Sequence, residues 1–173
     1  MIDDEISQII PHLFLSNWYT SNNTKVLLEN EIKAVITLET SRKPDEIITF
    51  YKDNKIDFMY IPIEDHPNAN IAQYFDVTYH FIKDKISRGE NVLVHCRAGV
   101  SRSAIIVLNY LVRTYYRDTL HITIMPDEVI MNRLRMMRTR RSIVNPNYGF
   151  LRQLHIKALE YANKHEQKNI GVM

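Results

Sequence analysis

The run Val92-Leu93-Val94-His95-Cys96-Arg97-Ala98-Gly99-Val100-Ser101-Arg102-Ser103 constrains this chain more than any other stretch. It holds the only cysteine in 173 residues, placed at the end of a short apolar run. Residues 92–94 are too few for a helix and rich in β-branched side chains, which predicts a buried, central strand. Gly99 and small residues follow the cysteine, Arg102 comes six positions after it, and residues 104–112 read as a buried helix. Strand, tight turn and helix N-terminus in that order make an anion-binding turn, because unpaired backbone N–H groups converge there. A thiol at the base of such a turn is drawn toward thiolate by the same field; beside cations at a helix N-terminus, thiol pKa values fall to about 3.5–7.5. Arg102 adds a planar fork that grips two phosphate oxygens, a geometry lysine lacks.

The rest of the chain alternates strand and helix signals. This predicts an α/β domain whose site lies beyond the carboxyl ends of its strands. Strands are expected at residues 13–15, 34–38 and 57–64, the last ending near an edge or bulge because of Pro62. Residues 24–30 read as helix after the polar Ser21-Asn22-Asn23, and 40–45 as a polar loop. Ile71, Phe75, Thr78, Ile82 and Ile86 recur at helical spacing. Asn70 is the expected cap of that helix, with Gln73 three positions on, and Gly89 its stop. Ile130, Leu134 and Met137 mark another helix from about Asp127. Asn145 with Pro146 is expected to start the last one, burying Leu151, Leu154, Ala158 and Tyr161. Residues 1–163 form one domain on this reading, and 164–173, without periodicity, a frayed tail. Residues 113–125 read as a connection, either a surface excursion or a docking element.

Composition limits the classes open to the chain. With 45% hydrophobic and 24% charged residues it fits a soluble globular domain. No apolar run is long enough to cross a bilayer, and the start, Met1-Ile2-Asp3-Asp4-Glu5, is acidic where a secretion signal is basic. A single cysteine closes no internal disulfide, which argues for a reducing compartment, the cytoplasm or also the nucleus. Arg133, Arg135, Arg138, Arg140 and Arg141 crowd into nine positions, as a solvated helix face or as a positive rim that steers phosphorylated ligands. Nucleic acid is not an expected partner, since no aromatic residues alternate with these arginines. The seven histidines are scattered without metal-ligand spacing, so no metal is expected.

The stretch from His95 to Ser103 resembles the active-site loop of cysteine-dependent protein phosphatases: His-Cys, five residues, then Arg and Ser or Thr. Its Ala-Gly-Val-Ser interior is similar to the dual-specificity branch. Ile10-Pro11-His12-Leu13-Phe14-Leu15-Ser16 stands in the family's order, as does Ile63-Glu64-Asp65 followed by Ile71-Ala72-Gln73-Tyr74-Phe75. So does Asn145-Pro146-Asn147-Tyr148-Gly149-Phe150-Leu151-Arg152-Gln153-Leu154, and the resemblance covers about residues 9–160. It implies a protein-tyrosine-phosphatase-like fold: a single α/β domain with a central mixed, mostly parallel sheet flanked by helices. It also implies hydrolysis of phosphate from Tyr and from Ser or Thr through a phosphocysteine, without a cofactor, on phosphorylated protein partners and away from membranes.

On that resemblance Cys96 is the expected nucleophile and Arg102 the phosphate clamp. Backbone N–H groups of Arg97, Ala98, Gly99, Val100, Ser101 and Arg102 supply the remaining donors. Ser103 donates to the sulfur as it leaves again, and His95 supports the loop from below. Asp65, on the turn Asp65-His66-Pro67-Asn68, is the expected general acid. Glu64, which strand alternation points the other way, and His66 stand as alternatives. Phosphoinositide-directed relatives carry lysines where Ala98, Val100 and Ser101 are neutral, and RNA-directed relatives lack this loop interior. Those two substrate classes, and a non-catalytic phospho-binding module, are the competing readings.

Overall fold

Strand alternation decides which layer each core residue joins. Along Leu13–Ser16 (β2), Ile32–Leu38 (β3) and Asn91–His95 (β5), successive side chains face opposite ways. Leu13, Leu15, Ala34, Ile36, Leu38, Val92 and Val94 enter one apolar cluster. Phe14, Val35 and Leu93, at the intervening positions, enter a second, with Leu27, Ile47 and Tyr51. Both faces are therefore covered, which is why these strands read as near-continuous apolar runs. The computed structural model describes residues 6–119 and 124–170, the side chains of 165–170 excepted.

Ser7–Ile10 (β1) and Asp57–Ile61 (β4) complete a five-stranded sheet of order β1-β2-β5-β3-β4. β1 is antiparallel to β2 and every other pairing is parallel. The sheet is mixed and mostly parallel, with β5 at its centre and β4 at an edge, ending just before Pro62. Trp18–Ser21 (α1), Thr24–Glu29 (α2) and Asp45–Asp53 (α3) precede β4. Phe75–Ser87 (α4), Arg102–Asp118 (α5), Pro126–Arg140 (α6) and Tyr148–Ile170 (α7) pack on the larger cluster. Every residue of α5 from Arg102 to Val112 is buried, so this helix is the axis of that layer. No helix among the described residues is long and apolar enough to cross a membrane.

Several expectations shift. β1, α1 and α3 were not expected. The first two are only four residues each, too short to show a period. α3 begins one residue after Pro44, inside what reads as a polar loop, and buries only Ile47 and Tyr51. Asn70 is not a side-chain cap: a 3₁₀ turn at Ala72–Tyr74 leads into α4, and Gln73 Nε2 donates to the Asn70 carbonyl at 2.8 Å. Asn147, two residues after Asn145, caps α7, its Oδ1 accepting from the Phe150 N–H at 3.0 Å. α5 runs on through Asp118, so 113–118 is helix rather than connection, while 120–123 lie outside the described residues. Helix α7 also continues past 163 to Ile170, where a tail was expected. Four of its last seven residues, Lys164, Glu166, Gln167 and Lys168, are good helix formers, which need no buried stripe to extend an existing helix. Residues 171–173 lie outside the described part.

Candidate active site

β5 delivers Cys96 to the centre of the sheet's carboxyl edge, buried to 2% exposure, and α5 starts six residues later at Arg102. The loop between them is held by its carbonyls. Trp18 N–H donates to Arg97 O (3.1 Å) and Asn145 N–H to Val100 O (2.9 Å). The buried Arg141 guanidinium donates from Nη2 to Ala98 O (3.3 Å) and from Nε to Gly99 O (3.0 Å). Four consecutive carbonyls are thus engaged by α1, by the end of α6 and by the segment before α7. In a trans peptide the N–H of the next residue points opposite to the carbonyl. The N–H groups of residues 98–101 therefore face away from those partners, into the loop's hollow, as an anion cradle requires. Gly99 has φ +67°, and a Cβ there would lie 2.4 Å from Ser16 O. Only glycine fits between the loop and β2.

Three side chains next to Cys96 in the sequence motif take distinct positions around the loop. Ser103 Oγ, in the first turn of α5, is 3.1 Å from Cys96 Sγ. His95 lies beneath, wholly buried: its Nδ1 donates to Cys96 O at 3.4 Å, so Nε2 accepts from Thr37 Oγ1 at 2.6 Å. Burial foremost, then the nearby Lys43 cation and Arg102, hold the His95 pKa well below its usual value, so the imidazole is neutral. Arg102 is buried against Glu39 at the end of β3. Nη1 donates to Glu39 Oε1 (3.2 Å) and to Ile63 O (3.0 Å), Nη2 to Glu39 Oε2 (3.5 Å). Its Nε has no partner among the described residues. A buried guanidinium N–H left unpaired is a costly state unless an anion completes it.

Asp65 stands exposed on the turn after β4, and two donors fix one of its oxygens. Ser101 Oγ donates to Oδ1 at 2.6 Å, Asn147 Nδ2 to the same Oδ1 at 2.8 Å, and Asn147 N–H to Ser101 Oγ at 3.1 Å. Glu64 is exposed with no such bond among the described residues, and His66 Nδ1 accepts from Asn68 N–H within the turn. The turn is pinned to α7 as well. A Cβ on Gly149 would lie 1.9 Å from Pro67 O, and Gln153 bridges Ala69 O and Ala72 N–H.

The structure thus brings Cys96, Ser103, His95, Arg102, Asp65 and the backbone of 97–102 to one place, while the side chains of Arg97 and Ala98 are exposed. Trp18, Glu39, Asn145, Arg141 and Asn147 complete the site and were not singled out for it from sequence. Arg141 was visible only as one of five clustered arginines, and these separate in space. Arg141 is under the loop, Arg138 braces Val144 O and Asn145, and Arg133 lies over the Tyr115 ring. Arg135 and Arg140 are exposed. Among the described residues no group of three or more His, Cys, Asp or Glu is placed to hold a metal ion.

Comparison with known proteins agrees with this geometry. The family model "dual specificity phosphatase, catalytic domain" matches residues 13–160. Protein phosphatase Slingshot homolog of Xenopus laevis is 34% identical over 153 residues, 87% of this chain and 19% of that protein. Human dual specificity protein phosphatase 22 is 30% identical over 152 residues, 86% of this chain and 71% of that protein. The chain spans about a fifth to a quarter of the length of its Slingshot relatives. Among solved structures, the Yvh1 phosphatase domain from Chaetomium thermophilum superposes with TM-score 0.77 at 25% identity, over 88% of this chain and 94% of that one. DUSP15 does so with TM-score 0.74 at 26% identity, over 94% and 95%. A family model that takes in nearly the whole sheet and α4 to α6, and a cradle built on a strand-end cysteine, lead to one conclusion: the chain belongs to the dual-specificity phosphatase family of the cysteine-dependent protein tyrosine phosphatase superfamily.

Proposed function

We propose that this domain removes phosphate from tyrosine and from serine or threonine in proteins, through a phosphocysteine on Cys96. The observation that carries the reading is the cradle itself. Four outward carbonyls turn consecutive N–H groups over a buried sulfur, and the buried Arg102 Nε has no partner among the described residues. Cys96 thiolate attacks phosphorus in line, the S–P bond forming as the ester P–O bond breaks. Asp65 gives its proton to the departing oxygen. Because Ser101 and Asn147 both occupy Oδ1, the proton belongs on Oδ2. Water then attacks phosphorus, Asp65 takes its proton, and the S–P bond breaks with Ser103 Oγ–H donating to the returning thiolate. The cradle and the Arg102 fork hold the equatorial oxygens throughout. Glu39 fixes the plane of that fork. No cofactor enters these steps. A thiolate nucleophile works only where it stays reduced, and we assign the cytoplasm or nucleus as its compartment.

The test is a turnover panel of phosphotyrosine and phosphothreonine peptides against inositol phosphates and 5′-triphosphorylated RNA, with Cys96→Ser as the blank. Turnover of both peptides is expected, and none in the blank, which still binds phosphopeptide through the intact cradle. Faster turnover of an inositol phosphate or of the RNA would overturn the protein substrate. Turnover by Cys96→Ser would overturn the nucleophile.

A further inference from the structure

Helix α5 carries cationic chemistry at both ends. Its first turn closes the cradle. Arg113 and Arg117 lie 11 and 15 residues beyond Arg102, roughly 17–22 Å along the axis at about 1.5 Å per residue. There they line a cleft of about 270 Å³ together with Tyr116, His80, Lys83 and Lys164. The forks are already aimed. The Arg113 guanidinium lies 4.1 Å over the Tyr79 ring and 5.3 Å from that of Tyr161. Arg117 Nη1 donates to Tyr79 OH at 3.0 Å.

Two carboxylates touch this group of cations, and both are well exposed. Asp76 accepts from Arg113 Nη1 at 2.5 Å. Asp118 fills the Arg117 fork in bidentate fashion, Nε to Oδ1 at 2.5 Å and Nη2 to Oδ2 at 2.7 Å. That is the geometry two phosphate oxygens take on a guanidinium. Four permanent cations against two carboxylates leave the cleft positive, a state that attracts anions. Tyr116 lines this cleft, and its hydroxyl is buried with no partner among the described residues.

We propose that this cleft is a second phosphate-binding site, which takes a phosphorylated side chain of a protein partner, and that Asp118 is an internal placeholder which the phosphate displaces from Arg117. A phosphate monoester carries more charge than a carboxylate and three acceptor oxygens, so it outcompetes Asp118 once delivered. The rings of Tyr79 and Tyr161 are covered by Arg113, leaving no open aromatic platform for nucleic-acid bases. The cleft's size suits one side chain rather than a strand or a bilayer surface. The site does not depend on the reaction at the cradle, so its failure would leave the proposed activity standing.

Nuclear magnetic resonance on the full chain carrying Cys96→Ser reads the two sites separately. Titration with a phosphotyrosine peptide should shift the cradle amides of residues 97–102 and, independently, the guanidinium signals of Arg113 and Arg117. Lys83→Glu should weaken the second response about tenfold without changing the first. In the Cys96 enzyme the same substitution should leave hydrolysis of a small aryl phosphate unchanged. Asp118→Asn, which removes the competitor, should strengthen the second response severalfold, an effect that a misfolded variant would not produce. No response of Arg113 and Arg117, or an equal one to the unphosphorylated peptide, would overturn the proposal. So would tighter binding at the cleft of a single-stranded oligonucleotide or of phosphatidylserine vesicles.

Discussion

Two donors on one oxygen of Asp65 separate it from its neighbour Glu64, although both are exposed carboxylates at the same strand end. Removing a positioned acid costs roughly 10²–10⁴ in rate. For Asp65→Asn that loss should be large with phosphothreonine and small with an activated aryl phosphate, whose leaving group departs without a proton. Glu64→Gln should behave as the parent. Turnover of both substrates by both variants checks this, and the reverse pattern would move the acid to Glu64. Glu39 is the second residue with a clear expectation. Its carboxylate is 4% exposed and holds both Arg102 Nη atoms. Breaking a buried ion pair by removing one partner costs about 3–5 kcal/mol. Glu39→Gln should therefore lower the denaturation midpoint and, by freeing the fork to rotate, lower kcat more than KM. An unchanged melting curve would show that the pair contributes nothing.

At the scale of elements, the end of α6 works on the loop between β5 and α5 rather than on its own layer. Arg141, the C-cap of that helix, reaches Ala98 O, Gly99 O and, at 3.4 Å, Ser7 Oγ. It connects α6, the loop and β1. Arg141→Met fills similar space but leaves the buried Gly99 carbonyl unpaired, at a cost of about 1–3 kcal/mol, and frees the part-buried Ala98 carbonyl as well. The peptide planes are then free to turn, and cradle donors are lost. A fall in kcat of about 10²–10³ is expected, the scale of losing one such donor, with phosphate affinity reduced as well. Steady-state kinetics beside a thermal melt make the check, and a destabilised enzyme with unchanged kcat would mean that the arginine is only structural. Elements also differ in how far their sequences disclose them. The stripe of α4 was legible because Ile71, Phe75, Thr78 and Ile82 repeat at the helical period and are all buried. Its start was not, because a 3₁₀ turn leads in where the spacing suggested a capping box.

For the molecule as a whole, two buried basic groups, Lys43 and His95, shape the pH dependence of stability. Lys43 is 3% exposed, its Nζ donates to Ser21 Oγ (2.9 Å) and Asn22 Oδ1 (2.6 Å), and it lies 4.7 Å from the Trp18 ring. These partners are neutral, and burial lowers its pKa from 10.5 to about 7. Between those values the unfolded chain binds more protons than the folded one, so stability rises with pH across that window. His95 acts in the same sense lower down: its folded pKa lies well below 6.5, so stability falls as pH drops below 6.5. Urea midpoints at about pH 5, 7 and 9 should therefore climb in that order. Lys43→Met should raise the midpoint at pH 7 and remove most of the climb above it. A variant that climbs as steeply as the parent would exclude Lys43 as the cause. The sequence by itself determined the buried central strand, the cradle with its cysteine and arginine, and the α/β class, because contiguous residues and local backbone geometry make all of these. It could not disclose Trp18, Glu39, Arg141, Asn145 and Asn147 as the groups that hold the loop, the Arg102 fork and Asp65. Those contacts join residues 36 to 82 positions apart in most cases, and only the sheet order and the packing of α6 and α7 decide which distant side chains meet the cradle.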